Sequence, residues 1–93
     1  MKIKILQSFR LKFNDQLLYI AEDKPAAARK FRNDVLEKLK DVPSMPYRNR
    51  KSIYFNNENV RDLVFKGYII IYRIKPEQNE IEVFGFIKYT REP

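Results

Sequence analysis

"FKGYIIIYRI", residues 65–74, sets the frame for the whole chain. Lys66-Gly67 reads as a tight turn, and Tyr68–Ile74 then carries apolar or aromatic side chains at both parities, with Arg73 near its end. A strand packed on one side alternates apolar and polar residues. One that is apolar on both sides is covered on both, as a central strand is. Val60–Phe65 and Glu80–Ile87 have strand character on either side of it, and Lys66-Gly67 and Lys75–Asn79 supply the turns of an antiparallel meander. In the last segment the alternation slips at Phe84-Gly85-Phe86, the mark of a bulge or a close backbone approach.

Outward from the meander, the N-terminal part is helical. Lys2–Ile5 alternate as a short half-buried strand would. Phe9, Phe13, Leu17 and Ile20 then form one face of a helix from about Ser8 to Glu22, with Ser8 as its expected N-cap. Asp23 is placed to cap a second helix and Pro25 suits its first turn. That helix presents Ala28, Phe31, Val35, Leu39 and Val42, and ends before Pro43. So short a join predicts an antiparallel hairpin over one sheet face, with Phe13, Leu17, Phe31 and Val35 buried against Ile69 and Ile71. Residues 43–59 read as a loop with a short extended piece at Ser52–Phe55. The expected fold class is α+β, in the order β-α-α-β-β-β: a helical hairpin on a four-stranded, mainly antiparallel sheet, in one domain spanning 1–93.

Composition narrows the chemistry. Nineteen Lys+Arg against 12 Asp+Glu give a net charge of +7, and the excess runs through both halves. Such a balance points to nucleic acid or to an acidic protein partner. The absence of Cys and His removes thiolate chemistry, disulfides and the commonest general base and metal ligand. No metal or cofactor is expected. No apolar run is long enough for a membrane span or a secretory signal, so a cytoplasmic protein is expected.

Two groups of side chains could carry function. "YRNRKSIYF", 47–55, offers Tyr47, Arg48, Arg50 and Lys51 as contacts to a nucleic acid or another target; the alternative is a solvated loop with its rings tucked inward. Arg61, Arg73, Lys88 and Arg91 could instead converge across the meander on a scissile phosphate, with Tyr72 or Tyr89 moving the proton. Against that, Arg61 and Arg73 have Asp62, Glu80 and Glu82 nearby as plain ion-pair partners.

The order β-α-α-β-β-β, the join "YIAEDKPAAARKF" (19–31) and the strand "GYIIIYRI" (67–74) together resemble the RelE/ParE toxin superfamily of type II toxin–antitoxin systems. The join is similar to that of the ParE-like branch. The resemblance implies a bacterial toxin that blocks growth at an essential target and is neutralised by an acidic antitoxin. ParE-like members poison DNA gyrase without cutting RNA. RelE-like members are ribosome-dependent mRNA endoribonucleases, and on their pattern Arg61, Arg73, Lys88, Tyr89 and Arg91 would be catalytic. The sequence departs from that pattern: Ile69 stands where a catalytic arginine follows "GY", and Val60-Arg61-Asp62 lacks the expected lysines. A non-toxic basic RNA- or protein-binding domain is the further alternative.

Overall fold

The computed structural model describes residues 1–89 of the chain, so Arg91 lies outside the described residues. The elements are β1 (Lys2–Ile5), α1 (Gln7–Asp23), α2 (Pro25–Asp41), β2 (Arg50–Lys51), β3 (Val60–Phe65), β4 (Tyr68–Lys75) and β5 (Glu80–Lys88). They form one sheet in the order β1-β5-β4-β3-β2. β4 is central, as its doubly apolar sequence predicts. The sheet has five strands, not four, because Arg50 and Lys51 pair with Asp62 and Arg61. The extended piece is thus two residues earlier than Ser52–Phe55. β1 runs parallel to β5 and the other pairings are antiparallel.

Local chemistry accounts for the turns. Lys66 and Gly67 both have positive φ (48° and 82°), as a two-residue hairpin needs to match the twist of its strands. Pro25 opens α2, where its missing N–H leaves no bond unmade. Neither expected side-chain cap forms. α1 starts one residue early, and the Ser8 hydroxyl instead donates to the Phe84 carbonyl on β5 (2.7 Å), tying helix to sheet. Asp23 remains within α1 and Lys24 occupies the cap position of α2.

Both helices lie on one face of the sheet. Phe9 and Phe13 of α1 and Phe31, Val35 and Leu39 of α2 pack with Leu63, Ile70, Tyr72, Ile74, Ile81, Val83 and Phe86. The expected partners Ile69 and Ile71 face the other way, in a second cluster with Val60, Phe84 and Ile87. The parity of β4 is therefore the reverse of that expected. Its tyrosines belong on the helix side because their hydroxyls find partners there. Tyr68 accepts from Gln16 Nε2 (2.8 Å); Tyr72 donates to the Pro46 carbonyl (2.6 Å) and accepts from Asn49 Nδ2 (3.1 Å).

The irregularity at Phe84-Gly85-Phe86 is both a bulge and a close approach. Ile71 pairs with Gly85 but Tyr72 pairs with Val83, leaving Phe84 as the extra residue. A Cβ on Gly85 would lie 3.0 Å from the Cβ of Ile71.

Candidate functional site

Strand parity distributes the cations. Arg61 pairs with Tyr72 on the helix side of the sheet, whereas Arg73 pairs with Val60 and Glu82 on the open side. Lys88 pairs with Tyr68, at the far end of β4 from Arg73. Five strand residues separate those positions, roughly 16 Å along the strand. A phosphate stabilised by charge needs its donors about 3 Å away, so Arg61, Arg73 and Lys88 do not share one.

Each of these residues has local company. Arg61 donates to the carbonyls of Glu58 (2.8 Å), Asn49 (3.2 Å) and Tyr47 (3.4 Å), pairs with the Glu58 carboxylate (3.3 Å) and lies over the Tyr47 ring. It clamps the segment before β3. Arg73 lies over the Phe84 ring and approaches Glu82, which Lys75 also engages at 3.1 Å. Lys88 sits over Tyr19, and Tyr89 is exposed, its N–H bonded to the Gly67 carbonyl. Tyr72 is fully buried. Burial pushes its pKa above the ordinary tyrosine value, despite the opposing influence of Asn49, Arg61 and Arg48. It stays protonated at neutral pH and is no base.

The second predicted group divides. Tyr47 donates to Asn59 Oδ1 (2.6 Å) and Lys51 pairs with Glu58 (3.2 Å). Arg48 lines a small groove with Lys38, Asp41, Asn49 and Val64. Arg50 pairs with Asp62, whose side chain is fully buried. Asp62 Oδ2 accepts from Arg50 Nε (3.3 Å), Arg50 Nη2 (3.2 Å) and the Ile53 N–H (3.1 Å), while Oδ1 is buried without a partner.

Two surfaces take definite form in the structure. Residues 52–56 form a strap on the open face of the sheet, from Asp62 on β3 to Phe84 on β5, where the Phe55 ring meets Phe84 edge-on. On the outer side of the helices, Leu17, Leu18, Ala21 and Ala28 line an apolar groove of about 300 Å³ edged by Arg29 and Arg32. Both had a signal. Asp62 interrupts an apolar strand, and Leu18 is apolar off the buried stripe of α1.

No group of His, Cys, Asp or Glu among the described residues could hold a metal ion. Among the described residues, no helix is long and apolar enough to cross a membrane.

The comparisons agree with this architecture. A family model described as "ParE toxin of type II toxin-antitoxin system, parDE" matches residues 3–92. A solved structure titled "Chromosomal ParDE TA system from P. aeruginosa" superposes with a TM-score of 0.79 at 16% identity, covering 97% of each chain. At that identity the likeness shows the fold. No curated protein matches. The family match spans nearly the whole sequence, and the chain belongs to the ParE toxin family of type II toxin–antitoxin systems.

Proposed function

We propose that this chain arrests bacterial growth by binding its target, DNA gyrase, in the cytoplasm, without cleaving RNA. The observation that carries this reading is the scatter of the cations. Arg61 and Arg73 point to opposite faces, Lys88 lies at the other end of the sheet, and buried Ile69 occupies the place of a catalytic arginine. The nearest proton carrier, Tyr72, is locked between Pro46 and Asn49. A binding toxin needs none of these groups to converge. Tyr47, Arg48, Arg50 and Lys51 remain candidate target contacts, since all four are exposed at one end of the sheet.

Neutralisation falls to an acidic antitoxin, and the groove between α1 and α2 suits it. Its floor is apolar, and Arg29 and Arg32 on its rim have no carboxylate partner among the described residues. An amphipathic helix with acidic flanks would cover the leucines and neutralise the arginines.

Induced expression tests the reading directly. The expected outcome is growth arrest with gyrase-dependent DNA breaks and intact transcripts. Transcripts cut at the decoding site of the ribosome would overturn it in favour of the RelE-like alternative.

A further inference from the structure

The open face of the sheet carries an arrangement that neither the fold nor the antitoxin groove requires. Ile53, Tyr54 and Phe55 follow one another on the strap and are 63%, 43% and 39% exposed. Three consecutive large apolar residues on a loop are ordinarily turned inward or left mobile. Here the backbone is fixed. Ser52 is buried, donates its N–H to the Val60 carbonyl (2.8 Å) and accepts the Tyr54 N–H at its hydroxyl (3.1 Å). The Ile53 N–H is held by Asp62, and the Phe55 ring rests on Phe84. Phe84 is itself aimed by the bulge and stacked on its other contact by Arg73.

A fully buried carboxylate with one oxygen unpartnered carries a desolvation penalty, which the bonds of its other oxygen to Arg50 and the Ile53 N–H offset. Its evident product is the geometry of the strap.

The neighbouring charges indicate what the strap meets. Arg50 pairs with Asp62 and Lys51 with Glu58, while Arg73 and Lys75 share Glu82. Cations that already engage carboxylates are weaker neutralisers of a phosphate backbone than free ones, which disfavours nucleic acid. A second copy of this chain would bring another net charge of +7 against the first. Exposed apolar anchors, held in place and ringed by internally paired charges, are instead the anatomy of a protein-binding centre.

We infer that Ile53, Tyr54 and Phe55 form a pre-organised knuckle that inserts into an apolar pocket of the toxin's protein target, on the side of the sheet opposite the antitoxin groove. This deepens the binding-toxin reading and rests on it. Because the knuckle's own side chains are uncharged, the contact differs from the antitoxin contact in kind. It holds at high salt, whereas binding through the free Arg29 and Arg32 weakens.

The test uses the full chain carrying Ile53→Glu with Tyr54→Ser, both well exposed, and Leu11→Glu on α1 as a surface control. Growth arrest is scored on induction, binding to purified gyrase in vitro, and folding by circular dichroism. Tyr54→Ala alone serves if the double variant folds poorly. The strap variants are expected to lose on the order of tenfold or more in gyrase affinity and to lose arrest, with the fold intact and the control unaffected. The loss caused by Tyr54→Ala should be the same at about 50 and 200 mM salt, because the contacts removed are uncharged. A folded strap variant that arrests growth like wild type overturns the inference and leaves the toxin reading standing. So does a labelled single-stranded oligonucleotide that wild type binds and the variant does not, or a wild-type dimer that the variant dissolves. A wild type that arrests growth but does not bind gyrase fails the gyrase assignment alone, and loss of arrest in the strap variants still supports the knuckle. A wild type that never arrests growth removes both.

Discussion

Gly85→Ala is a one-atom probe of how the open face is built. The added Cβ would meet Ile71 Cβ at 3.0 Å, Cδ1 at 3.1 Å and Cγ1 at 3.2 Å. Two of these contacts could be eased by a rotamer change, but the first atom is fixed to the backbone of the central strand. Overpacking of this kind costs about 1–3 kcal/mol. Replacing glycine also restricts the unfolded chain, which returns about 0.4–1 kcal/mol. Taking the middle of each range, the net destabilisation is about 1–2 kcal/mol. In a domain of this size that lowers Tm by about 5–15 °C. Thermal unfolding by circular dichroism measures it, and a cycle with Ile71→Val identifies the cause. Valine removes Cδ1 but keeps the Cβ, so rescue should be partial. A Gly85→Ala protein melting within about 2 °C of wild type, or one fully rescued by Ile71→Val, would refute the packing argument. The same variant should disturb Phe84, its neighbour in the bulge, and with it the seat of Phe55.

Asp62→Ala should cost about 1–3 kcal/mol in chemical denaturation, because the Ile53 N–H loses its acceptor while the half-exposed Arg50 simply hydrates; unchanged stability would show that Asp62 does not anchor the strap. Tyr72→Phe should cost about 1–2 kcal/mol at pH 7, as it leaves Asn49 Nδ2 and the Pro46 carbonyl without their partner. It should also flatten the alkaline limb. With the folded pKa raised, the wild type keeps its proton above pH about 10 while the unfolded chain loses it, so stability falls as pH rises from there, and a variant with the same slope would contradict this. Gly67→Ala meets no atom within 4 Å and should lose only about 1 kcal/mol, from its φ of +82°, with Gly67→Asn losing less in the same melts.

Where one pattern had one physical meaning, the fold was legible before any coordinates. The doubly apolar β4 could only be central, Lys66-Gly67 could only turn tightly, and the stripes of α1 and α2 required a common sheet face. The same feature that marked β4 as central hid its parity. With Ile69, Ile70, Ile71, Tyr68 and Tyr72 all apolar or aromatic, composition does not say which set meets the helices. Partners distant in sequence, such as Gln16 and Asn49, decide it. The two-residue β2 was equally hidden, since Arg50 and Lys51 have no strand signature and pair only because the clamp at Arg61 and the carboxylate of Asp62 draw them to β3. For the candidate site, the basic run at 47–51 was visible as charge. Its pairing with Glu58 and Asp62 depended on how the loop returns to the sheet.

The parallel seat of β1 beside β5 has a consequence for synthesis. Among the described strands, the first to be synthesised pairs with the last: Lys2–Ile5 lie against Glu80–Val83. Every strand under the helices is encoded after them, apart from β1 itself. While the chain is still being made, α1 and α2 therefore have no sheet to cover, and their phenylalanines stay in reach of water. Contacts this distant along the chain form late and slowly. The sheet is complete only once β5 has emerged. Until β5 is in place the apolar faces of α1 and α2 stay open, so the order of the strands sets how long the hairpin waits for its sheet.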